Sequence, residues 1–525
     1  MKRSNFLTAS KRRLLLSALI LSACDHASVP AAAATSNQQA QPGLGVPPIT
    51  ADLLRAAADD PATRQFYETN GWQAIWSAAA EGALKSSLAE RGRHGLDQLV
   101  FLTDRGQSVG AAEREVALTS TALRYAAALA HGATDPTVLH SIYTLPRPQD
   151  DLGDAFAKAV ADGRLEAWFT SLAPQGGDYA RLSKAYIDAR HEAGDGDRRA
   201  IGAGVIHMGD TDSRVPGIVE RLVDGEYLPK RDSADDALLP ADAERYSRRI
   251  ADAVSRLQRD YGIAADGIVG PHTLEILNLR PGDRAQALAV ALERLRWLAR
   301  TPPATRIDVN TAAATLSYYR DGSLVDSRRV IVGRPGKETP LLGAPIFRLV
   351  ANPTWTIPKS IQHGEMAGVS RGYLRRHNMV RRNGWIVQRS GPSNALGLVK
   401  FDMKDDEAIY LHDTSAPSLF AHSQRHLSHG CVRVDDALGF AQRIAEDEGI
   451  ADQWKRARAS GAQKFVALPR EIPVRLLYHN VFIDRDGAVA FRTDPYGWNA
   501  PIAKALGFGK VSTAKARADA VDIGP

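Results

Sequence analysis

The chain has 525 residues, 44% of them hydrophobic and 24% charged, and a formal net charge of +6 at pH 7. This composition is that of an ordinary globular protein, and the length accommodates two or three domains. Because no block of lysine and arginine is interleaved with aromatic residues, nucleic-acid binding is not indicated, whereas mild basicity suits work beside an anionic cell wall.

The N-terminus has the pattern of an export signal. An apolar run from Leu14 to Cys24 follows a basic segment, and no acidic residue precedes Asp25. This arrangement predicts a signal peptide over residues 1–24, since the run is too short to span a bilayer comfortably. The basic residues are Lys2, Arg3, Lys11, Arg12 and Arg13.

Leu21-Ser22-Ala23-Cys24 resembles the lipobox of bacterial lipoproteins, in which the cysteine is acylated and becomes the mature N-terminus. The resemblance implies a lipidated Cys24 and a periplasmic protein anchored to a membrane, because two or three acyl chains anchor stably. Ordinary cleavage in the alanine-rich stretch 31–34 is the alternative. Residues 25–50, rich in Ala, Gln, Pro and Gly, are predicted to form a flexible tether.

From residue 51 to residue 240 the pattern is typical of successive helices and predicts a helical scaffold domain. The stretch Thr119–Ala130 has apolar residues near helical spacing, and His131-Gly132 follows it as a helix end. The stretch Asp178–Ala189 repeats this pattern. No catalytic constellation occurs in this part of the sequence.

A smaller module is predicted over residues 241–281. Ile250, Val254, Leu257 and Tyr261 form one apolar helical stripe that Gly262 is placed to end. The region resembles the peptidoglycan-binding-domain-1 repeat, which implies a three-helix wall-binding module; a spacer that no longer binds glycan is the alternative. The elements that carry this resemblance are Val254, Leu257-Gln258, Tyr261-Gly262, Asp266-Gly267, Val269-Gly270 and Thr273-Leu274.

Beyond residue 300 the period changes to that of β-strands, and Asp321-Gly322 is a strong hairpin-turn signal. The pattern predicts a mostly β domain over 300–470 with one helix at Ala437–Glu448, C-terminal strands over 471–508 and a tail over 509–525. The predicted fold class is multidomain α+β. The predicted strands are Arg306–Asn310, Ala314–Tyr319, Arg329–Val332, Phe347–Trp355, Ala408–His412, Val474–Tyr478 and Val481–Asp484.

Cys431, in Ser428-His429-Gly430-Cys431, is the only cysteine besides Cys24. An unpaired thiol is a liability in an oxidising compartment, so this one is interpreted as a nucleophile. Only the thiolate attacks well, and His412 and His429 are the candidates to activate it. Gly430 leaves backbone N–H groups near Cys431 unobstructed, as an oxyanion hole requires.

A zinc site is the alternative, because several potential ligands crowd one segment. Zinc sites are usually built from closely spaced pairs, and neither Cys-x-x-Cys nor His-Glu-x-x-His occurs, so no metal is predicted. We interpret His422 and His426 as exposed loop residues. The possible ligands are His412, His422, His426, His429 and Cys431.

His412, followed after fifteen residues by Ser428-His429-Gly430-Cys431-Val432-Arg433, matches the signature of the L,D-transpeptidases, the YkuD-like cysteine enzymes that crosslink peptidoglycan. The helical region and the inserted module are similar to the large periplasmic branch of that family, and the segment at about 356–407 resembles its capping insertion. Further matching segments are Val330–Arg334, Thr339-Pro340, Asn352–Trp355, Ile357-Pro358, Gly391–Gly397 and Tyr410–Thr414.

Carried over residue by residue, the resemblance implies that Cys431 is the nucleophile and that His412 is its general base, oriented by the backbone carbonyl of Asp413. It implies that His429 and the backbone N–H groups of Gly430 and Cys431 stabilise the oxyanion. Arg433 is expected to hold a substrate carboxylate, to brace the loop or to form a structural salt bridge. The other residues expected to bind substrate are Ser428, Tyr410, Asp413, Tyr373 and Trp385. For Tyr373 and Trp385 the alternative is that they only pack the capping insertion.

The implied reaction is acyl transfer from a peptidoglycan tetrapeptide stem, through a Cys431 thioester, to the side-chain amine of a neighbouring stem. The product is a 3→3 crosslink, no metal or organic cofactor is required, and carbapenem-type inhibitors are expected to acylate the cysteine. Hydrolysis, as in an L,D-carboxypeptidase or endopeptidase, and attachment of a protein or a D-amino acid use the same nucleophile and stay open as alternatives.

Overall fold

The computed structural model describes residues 48–102, 110–192, 199–229, 243–509 and 512–515. The predicted signal peptide, the lipobox cysteine Cys24 and most of the predicted tether and C-terminal tail lie outside these residues. Within the ranges described, no helix is long and apolar enough to cross a membrane.

The N-terminal part is helical, and several of its helices begin at residues whose side chains cap the first turn. Asp60 accepts the N–H of Thr63, and Pro61 occupies the first position of the helix that follows. The α-helices are α1 (Ala51–Ala57), α2 (Pro61–Thr69), α3 (Ala78–Ala89), α4 (Ala111–His131), α5 (Pro136–Leu139), α6 (Leu152–Ala161), α7 (Leu165–Leu172), α8 (Gly177–Glu192), α9 (Val215–Asp224), α10 (Arg248–Asp260), α11 (Pro271–Leu277) and α12 (Pro281–Trp297); a 3₁₀ helix spans Glu90–His94.

The two helices predicted from periodicity are present and longer than expected. Helix α4 extends the predicted stretch by eight residues at its start and ends at Gly132, whose φ of 94° few other residues adopt. Helix α8 contains the whole of the predicted stretch Asp178–Ala189.

The module around α10 and α11 shares its core with the N-terminal helices. Ile250, Val254, Leu257 and Tyr261 are all buried, and Gly262 follows with a φ of 68°. These side chains belong to the same apolar cluster as those of α4 and α12. Because of this shared core, the module packs together with the N-terminal helices, and we call helices α1–α12 the helical body.

A nine-stranded sheet forms the centre of the C-terminal half, in the order β10-β3-β11-β9-β8-β4-β12-β1-β2. An additional pairing connects β2, the last strand of this order, back to β3, the second. Asp321-Gly322 forms the predicted hairpin turn between β2 and β3, with positive φ at both residues. The strands are β1 (Arg306–Asn310), β2 (Thr315–Arg320), β3 (Ser323–Gly333), β4 (Leu342–Ala351), β8 (Val399–Met403), β9 (Leu411–His412), β10 (His426–Ser428), β11 (Val432–Val434) and β12 (Lys464–Leu477).

Two helices, α15 (Ala437–Asp447) and α16 (Ala451–Ala459), contribute side chains to the core of this sheet, including Phe440 and Trp454. The first of them is the helix predicted over Ala437–Glu448. A 3₁₀ helix spans Pro417–Ala421.

The predicted capping insertion is a separate small subdomain with its own core. It consists of β5 (Trp355–Thr356), α13 (Lys359–His363), α14 (Arg371–Arg376), β6 (Met379–Arg382) and β7 (Trp385–Gln388). Its strands form a three-stranded sheet in the order β5-β7-β6. We call residues 355–398 the cap, because β8 at Val399 already belongs to the central sheet; the expected boundary at 407 is wrong.

The predicted C-terminal strands at Val474–Tyr478 and Val481–Asp484 are present, but only the first belongs to the central sheet. β13 (Val481–Ile483) and β14 (Val489–Phe491) form a separate hairpin, and α17 (Asn499–Ala505) follows them. Val481, Phe491 and Ile502 pack into the core of the helical body, so only β12 completes the central sheet. The apolar residues of β13 and β14 could have been buried against either the central sheet or the helical body. In the folded chain they are buried in the core of the helical body.

Candidate active site

The strand register brings Cys431 and His412 together. β11 runs parallel to β9, with Val432 opposite Leu411 and Arg433 opposite His412. The N–H of Val432 donates to the carbonyl of Tyr410 at 3.1 Å, so Cys431 lies beside Tyr410 at the start of the same pair. Tyr410 and His412 are two residues apart and face the same side of the strand. The rings of Tyr410 and His412 are 5.6 Å apart.

Cys431 is partly buried and is the only free cysteine in the described part of the chain. Burial raises the pKa of its thiol, while hydrogen bonds from the backbone and hydroxyl of Tyr410 and the charge of Lys400 act in the opposite direction. The Lys400 ammonium lies 4.1 Å from the centre of the Tyr410 ring. Because the net pKa shift is upward, the resting sulfur is a protonated thiol that needs a base.

His412 has the state that such a base requires. It is fully buried, and its Nδ1 donates to the carbonyl oxygen of Asp413 at 2.5 Å, which leaves Nε2 unprotonated. Nε2 has no hydrogen-bond partner within the described chain. Burial, followed by the positive charges of Arg433 and Lys400, holds the pKa of His412 well below its ordinary value. The imidazole is therefore neutral near pH 7.

The loop before Cys431 is held by its own hydrogen bonds. The Ser428 hydroxyl donates to the carbonyl of Cys431 at 2.6 Å and accepts the N–H of Gly430 at 3.2 Å. Thr339 donates its hydroxyl to the carbonyl of Gly430 at 2.7 Å. Since the N–H of Gly430 is already used inside the loop, the expectation that it points at an oxyanion is wrong for this conformation.

His429 contacts the cap through a residue that the sequence did not indicate. Its Nε2 lies 2.7 Å from a carboxylate oxygen of Glu365 and 3.1 Å from Arg334, and Arg334 and Glu365 form an ion pair at 2.7 Å. Partial burial opposes ionisation of Glu365, but hydrogen bonds from His429 and Arg334 keep its pKa below the ordinary value. Glu365 lies 64 residues before His429, and no local pattern relates the two.

Two of the expected substrate contacts are buried. Ser428 is completely inaccessible and Arg433 is 1% exposed, so neither side chain is open to a ligand in the site; both support the loop and the strand behind it. Asp413 also has a local role, because its carboxylate accepts the N–H of Leu398 at 2.8 Å. Tyr410, which is partly exposed, lies beside Cys431 as described above.

Tyr373 and Trp385 are in the cap. Tyr373 stacks on His377 with 4.1 Å between ring centres, and Trp385 is 39% exposed with the Lys359 ammonium 4.4 Å from its ring centre. Both aromatic rings are accessible at least in part, so the predicted contact with substrate stays a prediction.

The residues of the zinc alternative do not converge. No group of three His, Cys, Asp or Glu residues suited to a metal occurs in the ranges that the structure describes. His422 is exposed as expected, but His426 is buried in β10, where its Nε2 lies 2.9 Å from the carbonyl of Thr311 and burial lowers its pKa to about 4. The expectation that His426 lies in an exposed loop is wrong, because the strand pairs with β3.

The cap concentrates positive charge next to the site. Residues 355–398 contain seven lysines and arginines and a single acidic residue, Glu365, which is paired with Arg334 and His429. Six of the seven basic residues are exposed arginines: Arg371, Arg375, Arg376, Arg381, Arg382 and Arg389.

Comparison with protein families finds matches for three separate parts of the chain. Residues 304–452 match the L,D-transpeptidase catalytic domain known as YkuD, residues 61–185 match a scaffold domain, and residues 227–277 match a putative peptidoglycan binding domain. Residues 304–452 therefore match the catalytic domain that the motifs around Cys431 suggested.

A putative L,D-transpeptidase of Haemophilus influenzae is 30% identical over 241 residues, which are 41% of this chain and 49% of that protein. The chain thus spans about half the length of this curated relative. Among solved structures, an L,D-transpeptidase from Stackebrandtia nassauensis matches 53% of this chain and 97% of its own length, with a TM-score of 0.23 and 15% identity. L,D-transpeptidase 3 from Mycobacterium tuberculosis, in complex with a faropenem-derived adduct, matches 34% of this chain and 62% of its own, with a TM-score of 0.19 and 15% identity.

Proposed function

We propose that this chain, which carries the L,D-transpeptidase catalytic domain of the YkuD family, forms 3→3 crosslinks in peptidoglycan through a thioester on Cys431. The observation that supports this most directly is the pairing of β9 with β11, whose register sets Arg433 opposite His412 and so brings the strand positions of Cys431 and His412 near each other, while Nε2 of His412 has no hydrogen-bond partner among the described residues. Those two groups are the nucleophile and the general base of cysteine acyl transfer.

The first half-reaction is acylation. Nε2 of His412 removes the thiol proton as Sγ of Cys431 bonds to the carbonyl carbon of the third stem residue, typically meso-diaminopimelate. The carbonyl oxygen becomes an oxyanion in the tetrahedral intermediate. When it collapses, the bond to the terminal D-Ala breaks, and its nitrogen takes the proton from His412.

The second half-reaction transfers the acyl group. The side-chain amine of a neighbouring stem attacks the thioester carbonyl, loses a proton to His412 and displaces the Cys431 thiolate, which is reprotonated. The donor and acceptor stems are then joined by an amide bond, and the enzyme returns to its starting state.

The cap supplies an electrostatic reason for binding stems. Stem peptides carry free carboxylates, and the cap has an excess of six positive charges in 44 residues. A surface of one sign next to a site raises the local concentration of ligands of the opposite sign, more strongly at low salt. We propose that the cap attracts the anionic donor, with Tyr373 and Trp385 as the aromatic residues available for contact.

The rest of the chain is proposed to hold the enzyme at the wall. The match to a putative peptidoglycan binding domain supports contact with glycan strands through the module over 227–277. The lipobox-like segment ending at Cys24 supports a lipid anchor and a periplasmic location.

Incubation of the protein with disaccharide-tetrapeptide, followed by mass spectrometry, tests this function. A crosslinked dimer lacking one D-Ala is expected, together with a transient thioester on Cys431. Cys431→Ala should abolish both products while leaving the thermal unfolding curve close to that of the unsubstituted protein.

Disaccharide-tripeptide without dimer would instead identify a hydrolase, and dimer formation by Cys431→Ala would contradict the cysteine mechanism. A carbapenem should add its own mass to Cys431, since its strained lactam carbonyl is open to the same attack.

A further inference from the structure

Within the function proposed above, the geometry points to Thr339 as a positioning residue for acylation: its hydroxyl holds the Gly430–Cys431 peptide so that the N–H of Cys431 faces the forming oxyanion. Thr339 is distant from Cys431 in sequence and is fully buried. It acts through the backbone and has no contact with substrate.

The Thr339 hydroxyl is fixed in direction because it is used twice. It donates to the carbonyl of Gly430 at 2.7 Å and accepts the N–H of Gly333 at 2.9 Å. A hydroxyl has one hydrogen, so accepting from Gly333 assigns that hydrogen to Gly430. The approach of the two segments is close: a Cβ added to Gly333 would lie 2.6 Å from the backbone nitrogen of Thr339.

A second side chain braces this arrangement. The Tyr496 hydroxyl donates to the carbonyl of Gly333 at 2.6 Å and accepts the N–H of Thr339 at 3.4 Å. Tyr496 is itself stacked on Tyr478, with ring centres 5.2 Å apart. The Thr339 hydroxyl therefore has a rigid support on the side away from Cys431.

Peptide geometry converts this hydrogen bond into an orientation of the nucleophile's N–H. In a planar trans peptide the C=O and the N–H of one unit point in opposite directions. Pinning the carbonyl of Gly430 to Thr339 thus points the N–H of Cys431 the other way. Gly430, which begins this peptide, has a φ of 121°, a region that glycine enters freely and other residues rarely adopt.

The other expected oxyanion donors are occupied. Gly430 gives its N–H to Ser428, and Nε2 of His429 lies against Glu365. The N–H of Cys431 makes no hydrogen bond among the residues described. The N–H of Cys431 is therefore the backbone donor left for the oxyanion, and the direction in which it points depends on the hydrogen bond from Thr339 to Gly430.

Two reactions of the Cys431 thiol distinguish an effect on the oxyanion donor from an effect on the reactivity of the thiol itself. Iodoacetamide alkylates the thiolate at a saturated carbon and expels iodide, so no oxyanion forms. A carbapenem acylates it: the C–S bond forms, the lactam C–N bond breaks and the nitrogen takes a proton, through a tetrahedral oxyanion. Intact mass spectrometry measures both rates on the full chain.

Thr339→Val keeps the shape of the side chain and removes the hydroxyl. Loss of an oxyanion donor slows acyl transfer by about 10²–10³-fold, and a misdirected donor loses part of that. We expect carbapenem acylation to slow by about tenfold or more and alkylation to keep its rate. Thr339→Ser, which retains the hydroxyl, should restore most of the acylation rate.

Thr121→Val is the matched control. Thr121 is also buried and donates its hydroxyl to a backbone carbonyl, that of Phe101 at 3.1 Å, but it belongs to helix α4. Both rates should equal those of the unsubstituted protein. If Thr339→Val unfolds, Tyr496→Phe removes only the brace and should give a smaller loss of the same selective kind.

Equal slowing of both reactions by Thr339→Val, or no slowing of acylation, overturns the role of Thr339 while leaving the cysteine mechanism intact. An unsubstituted protein that is alkylated on Cys431 but never acylated overturns the proposed function itself, and the role of Thr339 with it.

Discussion

The environment of Cys431 predicts how the pH dependence of acylation changes when His412 is removed. The pKa of the thiol is raised and that of His412 is far below its ordinary value, both because of burial. The resting pair is therefore a neutral thiol beside a neutral imidazole. These shifts favour the neutral pair over a preformed thiolate–imidazolium pair.

The size of the effect follows from the ionisation of the thiol. Even with an ordinary pKa of about 8.5, only about 3% of a thiol is ionised at pH 7, and the raised pKa makes that fraction smaller. General-base removal of the proton is worth about 10²–10⁴-fold. His412→Ala should thus lower the rate of carbapenem acylation at pH 7 by about that factor.

The unsubstituted protein and His412→Ala should also differ in the pH dependence of the acylation rate. The unsubstituted protein should show a nearly constant acylation rate from pH 6.5 to pH 8, because His412 is already neutral there. In His412→Ala the rate should rise about tenfold per pH unit, since only preformed thiolate reacts. Stopped-flow or mass-resolved acylation at constant ionic strength gives both curves, and His422→Ala, a change at an exposed residue, is the control.

A flat profile in His412→Ala, or rapid iodoacetamide labelling of the unsubstituted protein that is independent of pH down to pH 6, would mean that Cys431 rests as a thiolate. Either result would refute the reasoning from burial.

Further outcomes are expected at the cap and in the helical body. Glu365→Gln removes the charge that holds His429 and Arg334, so acylation should slow and its temperature dependence should change. Equal rates for the two proteins would show that the contact has no role. Arg381→Gln combined with Arg382→Gln should raise KM for stems at low salt and leave kcat unchanged, and a salt-independent KM in the unsubstituted protein would contradict attraction by the cap. Leu257→Ala should lower the free energy of unfolding by about 2–5 kcal/mol in urea titrations of the whole chain, because Leu257 is buried in the shared core; a loss confined to the module would show that it folds alone.

The sequence by itself predicted the chemistry of the site. Cys431, His412 and the Ser-His-Gly segment could be singled out because the capacity to act as nucleophile or base is a property of residue types, and their motif is short and local. Helix periodicity likewise predicted α4, α8 and α10, because the recurrence of apolar residues about every 3.6 positions can be read from one continuous segment of the sequence.

Tertiary structure alone decided which atoms meet. Glu365 and Thr339 reach the loop 428–431 from two other parts of the chain, and Tyr496 braces Thr339 from a third. These contacts arise from strand pairing and core packing that no local pattern encodes. The same packing buried Ser428, Arg433 and His426, moved β13 and β14 to the helical body, and used the N–H of Gly430 inside its own loop. A hydrogen bond needs a partner at about 3 Å, and for His429 and the carbonyl of Gly430 those partners are 64 and 91 residues away along the chain.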